Sequence, residues 1–193
     1  MNRIEFLAEQ LRQEEQDLPT DGARVQAAVA VILSPDPDAL LLIRRAELPG
    51  DPWSGQMGLP GGRRSPRDAD LRTTAMRESA EEVGLDLTGA RLLGLLEDHA
   101  PTTRMLPPIL VRPFVFLLPG RGRPELKRNA EIADASWVNL DLLLAPGVYG
   151  AYRVSAQGIS MEQPGYSLPQ GIVWGMTERI LTPALRVLEN IDN

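Results

Sequence analysis

Glu78, Glu81 and Glu82 stand in the run Arg77-Glu78-Ser79-Ala80-Glu81-Glu82, which closes with Val83-Gly84-Leu85. On a helix, positions i, i+3 and i+4 share a face, so these carboxylates project together. Two like charges about 4 Å apart at an effective dielectric near 20 repel by roughly 4 kcal/mol. Such a cluster is screened by water, takes up a proton, or holds a cation. Hard oxygen donors select Mg²⁺ or Mn²⁺, and the chain has no cysteine to offer instead. An acidic helix face alone is an ordinary solvated surface. Here it follows Pro60-Gly61-Gly62, whose glycines let backbone carbonyls and amides come closer to a ligand than side chains would allow. A glycine turn followed by an acidic helix is the layout of a metal–diphosphate site.

The elements around this stretch must position it. Asp68 or Asp70 can cap the start of the helix, and Gly84 can end it in a left-handed conformation. Met76, Ala80 and Val83 form the opposite face and are expected to pack on a core. Upstream, residues 24–33 (RVQAAVAVIL) and 39–45 (ALLLIRR) read as strands of a hairpin, joined by a Pro35–Asp38 turn. Arg44 and Arg45 close the second strand and lead into the loop before the glycine turn, where guanidinium groups suit an anion. Trp53, in that loop, could stack on a base or cover a core edge.

Downstream, residues 90–97 and 109–118 read as strands. Between them lie His99, the one histidine, and Thr102, Thr103 and Arg104, which suit a polar substrate. A lone histidine is more often structural than catalytic. The basic segment 119–129 reads as a hairpin loop. Glu131 opens a strand through Trp137-Val138, followed by a helix, and residues 145–162 read as a turn and a hairpin. Residues 170–190 read as a helix with Val173, Met176, Ile180 and Leu188 in a stripe and a kink at Pro183. Residues 2–16 read as an amphipathic helix, with Ile4, Leu7, Ala8 and Leu11 at helical spacing, packing on the domain or on a second subunit.

The run Gly62–Leu85 resembles the Nudix box, a glycine and spacer followed by Arg-Glu-U-X-Glu-Glu-X-Gly-U, where U is bulky and apolar. Arg77, Glu78, Glu81, Glu82, Gly84 and Leu85 match it. Ser79 takes an apolar position. The spacer from Gly62 to Arg77 is one residue longer than usual, and the first glutamate of the box is missing, with Asp68 and Asp70 flanking its place. That spacer, LLIRR with GQMGLPGG, and IVWGMTERIL resemble the coenzyme A pyrophosphatase branch. Leu59 replaces the phenylalanine expected there, and Trp53-Ser54 stands where that branch has a basic or histidine-containing stretch.

The resemblance implies an α/β protein of the Nudix fold, a mixed β-sheet sandwiched between helices (α/β/α). It implies Mg²⁺- or Mn²⁺-dependent hydrolysis of a diphosphate linkage in a nucleotide, with coenzyme A cleaved to 4′-phosphopantetheine and adenosine 3′,5′-bisphosphate. Glu78, Glu81, Glu82 and the Gly62 carbonyl would hold metal, and Arg77 would hold the carboxylates in place. The general base lies among Glu78, Glu81 and Glu131. Arg44, Arg45, Trp53, Gln56 and Arg104 would contact substrate. Two alternatives stay open: a pyrophosphatase of ADP-ribose or a nucleoside diphosphate-sugar, and a non-catalytic nucleotide sensor.

Composition sets the outer bounds. The 193 residues, 43% hydrophobic, suit one substantial domain. The expected division is a helical extension over 1–20 and one domain over 21–193, including the C-terminal helix. A net charge of −6 argues against non-specific binding to nucleic acid or anionic membranes. Without cysteine, disulfides, thiolate metal sites and a cysteine nucleophile are excluded. No apolar run reaches the length of a membrane span and no signal-peptide pattern is seen. A cytoplasmic enzyme acting on a small-molecule nucleotide is the expectation, and a homodimer is one of the two ways the N-terminal helix can pack.

Overall fold

The computed structural model describes residues 3–13, 25–101, 108–120, 122–156 and 158–189. Its main sheet is mixed. Strand β1 (Val25–Ser34) runs parallel to β6 (Ile109–Leu117) from Val25 to Leu33, and β6 pairs antiparallel with β5 (Arg91–Leu95). On its other edge β1 meets β2 (Ala39–Arg45) only at Leu33 and Ser34. Below that point the two strands part. β4 (Gly61–Arg63) pairs with Ala27–Val29 of β1, and β3 (Met57–Gly58) pairs with Ile43 and Arg44 of β2. The glycine turn is thereby wedged into a fork of the sheet.

Strand periodicity sends alternate residues to the two faces. Ala28, Ala30 and Ile32 of β1, with Leu41 and Ile43 of β2, pack with Leu71, Ala75 and Val83 of α2 (Leu71–Val83). Ala27, Val31 and Leu33, with Leu40 and Leu42, pack on the opposite side with Ile180, Leu181 and Leu185 of α4 (Gly175–Glu189) and with Ile4 and Leu7 of α1 (Arg3–Gln10). Buried on both faces, these strands read as near-continuous apolar runs. The sheet therefore lies between helices, as the resemblance implied.

Several expectations are corrected. The N-terminal helix ends at Gln10 rather than at residue 16, because Arg12 exchanges backbone hydrogen bonds with Leu95; residues 14–16 lie outside the described residues. Segment 119–129 does not close a hairpin. It carries the chain across the sheet, so that β7 (Ile132–Asn139) pairs with β2 instead of β6. Gly171–Trp174 is a strand, β10, and the helix starts only at Gly175. β10 completes a small sheet with the hairpin β8 (Tyr149–Ala156) and β9 (Ile159–Leu168), and Val173 belongs to it. A short α3 (Leu140–Leu143) follows β7. Helix α4 runs through Pro183.

Helix α2 also faces differently. Its buried residues are Leu71, Thr74, Ala75, Ser79, Glu82 and Val83, while Ala80 is exposed. The buried face is therefore turned to take in Glu82 and leave Ala80 in solvent. Ser79 fits its apolar position because its hydroxyl donates to the Leu85 carbonyl at 3.1 Å, which satisfies it inside the core.

Candidate active site

Asp70 caps α2, its carboxylate accepting from the Thr73 N–H at 2.6 Å, and Gly84 closes the helix at φ 70° with its N–H on Ala80 and Ser79 carbonyls. The acidic face so fixed lies against the wedged glycines. The Gly61 N–H donates to Glu82 Oε2 at 2.9 Å. A Cβ placed on Gly62 would lie 2.5 Å from Glu78 Oε1, so only glycine leaves room for that carboxylate.

Glu82 is 2% exposed. Burial pushes its carboxyl up to about 7, with Glu78 and Glu131 adding repulsion against the Gly61 hydrogen bond and the Arg45 charge. Burial likewise raises Glu78, which Arg77 partly offsets. The Arg45 guanidinium stands 3.8 Å from Glu82. Glu81 sits at the exposed rim.

Arg77 organises these acids from its own helix. It donates to Glu78 at 2.8 Å and to Glu81 at 3.0 Å. Its Nε and Nη2 also reach the two oxygens of Asp68 at 2.9 and 3.0 Å, a bidentate pair. Asp68 is buried and also accepts from the Ser65 N–H and the Thr74 hydroxyl. The Arg77 hydrogen bonds, above all, hold its carboxyl far below the usual range. Of the two aspartates that could cap α2, Asp70 does so, and Asp68 is the anchor of Arg77. Its place nine residues before an arginine gave no periodic signal.

A cavity of about 630 Å³ opens over this assembly. Glu78, Glu81, Glu82, Arg77, Gly62, Arg45, Trp53, Gln56 and Glu131 all line it. Arg45 donates twice to Asp51, which also accepts from the Trp53 N–H. Gln56 accepts from the Arg45 N–H through its carbonyl and donates to Pro52. The loop is thus tied to the end of β2. Glu131 is exposed, and its carbonyl accepts from the Ala46 N–H at 2.8 Å, which brings the start of β7 to the same rim. Arg44 is exposed and is not among the lining residues. Arg104, with Thr102 and Thr103, lies outside the described residues. His99 exchanges two backbone hydrogen bonds with Val111 at 2.8 Å and does not line the cavity.

The same cavity has an apolar wall, Val29, Ile109, Val111, Met176 and Ile180, whose strand and helix periodicity alone marks them as core rather than as site residues. Arg63 and Thr177 also line it, and the Thr177 hydroxyl donates to the Met57 carbonyl at 3.2 Å, tying α4 to the glycine-rich rim. Only the pairing of β4 with β1, invisible in local periodicity, could have placed Arg63 here.

The donor set is chemically suited to a hard divalent cation: carboxylates and a backbone carbonyl, with two of the acids raised by burial in a way that a cation would reverse. Among the described residues, no group of three acidic or imidazole side chains is drawn together as a finished metal cage. Arg77 and the Gly61 N–H occupy oxygens that would serve as ligands.

A mixed sheet between helices, with an acidic helix set against a glycine turn, defines the class. The chain belongs to the NUDIX domain family, whose model matches residues 24–157, and is a Nudix hydrolase domain of the pyrophosphohydrolase class. It is 32% identical over 164 residues to the uncharacterized Nudix hydrolase NudL of Photorhabdus laumondii, a match covering 85% of this chain and 84% of that protein. An uncharacterized protein of Schizosaccharomyces pombe is 41% identical over 112 residues, 55% of this chain; the match spans only 33% of that relative's length. Among solved structures, a MutT/nudix family protein from Enterococcus faecalis has the same fold, with TM-score 0.58 at 17% identity, covering 92% of this chain and 65% of that one. The NUDIX domain of Shewanella oneidensis NrtR, solved with ADP ribose, gives TM-score 0.51 at 22% identity, covering 76% and 89%. Among the described residues, no helix is long and apolar enough to cross a membrane.

Proposed function

We propose that this Nudix domain hydrolyses the diphosphate linkage of a nucleoside diphosphate derivative in the presence of Mg²⁺ or Mn²⁺, with coenzyme A as the first substrate to test. The observation that carries the reading is the convergence of Glu78 and Glu82 on Gly61 and Gly62 beneath a cavity that also has an apolar wall. A diphosphate needs charge neutralisation at one end of such a cavity, and a nucleoside or pantetheine chain needs apolar surface at the other.

Glu78, Glu82, Glu81 and the Gly62 carbonyl would hold the cation. When bound, it supplies neutralisation of the diphosphate oxygens and a more acidic water. Arg77, anchored on Asp68, keeps Glu78 and Glu81 oriented. Arg45 faces the anionic substrate. Trp53 and Gln56 border it. Glu131, Glu78 or Glu81 receives the proton of the attacking water. Coenzyme A would yield 4′-phosphopantetheine and adenosine 3′,5′-bisphosphate. The support for this branch is the resemblance of GQMGLPGG and IVWGMTERIL.

The test is chromatography of products from coenzyme A, ADP-ribose and NADH, with Mg²⁺ and with excess EDTA. Cleavage of coenzyme A that EDTA abolishes is the expected result. Efficient cleavage of ADP-ribose with coenzyme A untouched would replace the substrate. Tight nucleotide binding with no cleavage of any of the three would leave a sensor, against which the clustered carboxylates speak.

A further inference from the structure

Three arginines line the cavity: Arg45, Arg63 and Arg77. Arg45 is held by Asp51 and approaches Glu82, and Arg77 is held by Asp68, Glu78 and Glu81. Among the described residues, the Arg63 guanidinium has no carboxylate partner.

Its direction follows from the register. Partners in an antiparallel pair point to the same side of a sheet. Gly62 is opposite Ala28, on the α2 side, in agreement with its contact with Glu78. Arg63 is opposite Ala27, whose side chain belongs to the α4 side. The chain therefore places the carboxylates on one side of the wedged glycines and an uncommitted cation on the other. There the neighbouring cavity wall is Val29, Ile109 and Met176. Arg64, one residue on, is spent differently: it donates to Gln26 and to the Asp68 and Ala69 carbonyls, closing the turn before α2.

A guanidinium without a carboxylate partner, beside apolar surface and on the other side of the wedged glycines from the metal-type acids, suits a second anion carried by the non-reacting part of a substrate. We propose that Arg63 binds a phosphomonoester on the nucleoside portion, separate from the scissile diphosphate, and so selects nucleotides bearing that extra phosphate. This rests on the diphosphate-hydrolase reading and names the substrate class within it.

The experiment compares kcat/KM for coenzyme A and 3′-dephospho-coenzyme A in the wild type, Arg63→Gln and Arg63→Lys, with Arg64→Gln as control. A charge-assisted hydrogen bond to phosphate gives a preference of about tenfold or more for the phosphorylated substrate. Arg63→Gln should bring the ratio close to one, Arg63→Lys should keep part of it, and Arg64→Gln should keep all of it. A ratio that Arg63→Gln leaves unchanged overturns the proposal.

A second measurement is independent of turnover: calorimetric titration with adenosine 3′,5′-bisphosphate and with AMP in EDTA. Tighter binding of the bisphosphate, lost in Arg63→Gln, supports the assignment even where neither coenzyme is cleaved and the hydrolase reading fails. Equal affinities, or no binding of the bisphosphate, overturn it even where hydrolysis is intact.

Discussion

Alanine at Gly62 should inactivate the protein without unfolding it. An ideal Cβ there lies 2.5 Å from both Cδ and Oε1 of Glu78 and 2.9 Å from Oε2. Favourable non-bonded contacts fall at about 3.5–4 Å, so the carboxylate must retreat by roughly 1 Å. The backbone does not oppose the change, since Gly62 is absent from the residues with positive φ. The carboxylate is the far end of a flexible side chain, and moving it off its rotamer costs about 0.5–1.5 kcal/mol. The reduced entropy of the unfolded chain returns about 0.4–1 kcal/mol. Melting temperature should thus stay within a few degrees of wild type. A displacement of about 1 Å in a reacting assembly can cost on the order of 100-fold in rate, so kcat should fall by about that factor.

The neighbouring glycine supplies the control. A Cβ on Gly61 would meet Ala28 O at 2.4 Å and Val29 Cα at 2.7 Å, both backbone atoms of a strand paired along both edges. Nothing there can give way, and Gly61→Ala should be strongly destabilised. Thermal melts and steady-state rates with Mg²⁺ on both variants decide the matter. Gly62→Ala that is folded and turns over at the wild-type rate would remove Glu78 from the reacting assembly. Gly62→Ala that melts as low as Gly61→Ala would contradict the close approach of α2 to β4.

Three further outcomes are expected. Glu82→Gln should nearly abolish turnover yet stabilise the metal-free protein above neutral pH. The Glu82 carboxyl, raised from 4.5 to about 7, carries a penalty of the order of 3 kcal/mol. That penalty is absent below pH 4.5, grows as pH rises toward 7 and is complete above it. Melts in EDTA at pH 5 and pH 8 should show the gain only at pH 8, and an equal effect at both would refute the cause. Asp68→Asn should lower stability by about 3 kcal/mol, the scale of a broken buried ion pair, and kcat as well, since Arg77 loses its anchor; denaturant unfolding and turnover both unchanged would contradict the anchoring role. Glu131→Gln should lower kcat roughly 10²–10⁴-fold with KM little altered if this group is the base, whereas unchanged kinetics would leave the base on α2.

Much of the scaffold was legible because it rests on local physics. The strand over 39–45, the turn at Pro35–Asp38, the Gly84 stop and the acidic face of α2 follow from periodicity and from conformational preference. Failures occurred where tertiary pairing overrides local pattern. Val173 stands at helical spacing from Met176 and Ile180, yet Gly171–Trp174 pairs with β9. The loop after β6 has hairpin chemistry, yet β7 finds a partner across the sheet in β2. The inward face of α2 differs from its apolar pattern for a related reason: the buried face includes Glu82 and Ser79, each satisfied by a hydrogen bond that sequence does not display.

The longer spacer shows how an irregular sequence can encode a site. Between Gly62 and Arg77 the chain departs from the family pattern by one residue and lacks its first glutamate. In the structure, those residues form the turn in which the Ser65 N–H and the Thr74 hydroxyl secure Asp68, and Asp68 in turn holds both Nε and Nη2 of Arg77. Arg77 then has one remaining nitrogen, Nη1, which reaches Glu78 and Glu81 together. Removing the anchor would let the guanidinium swing away from its fixed place, so that Glu78 and Glu81 lose their orientation whatever the cation concentration. Held by Asp68, it orients two of the acids from one side while leaving Glu82 to Gly61. The carboxylate missing from its usual place is thus replaced by one that acts through the arginine, and a kinetic signature separates the two roles. Loss of a ligand raises the Mg²⁺ concentration needed for half-maximal rate. Loss of the anchor in Asp68→Asn should lower kcat at saturating Mg²⁺, and full recovery of kcat by added Mg²⁺ would show that Asp68 belongs with the metal ligands after all.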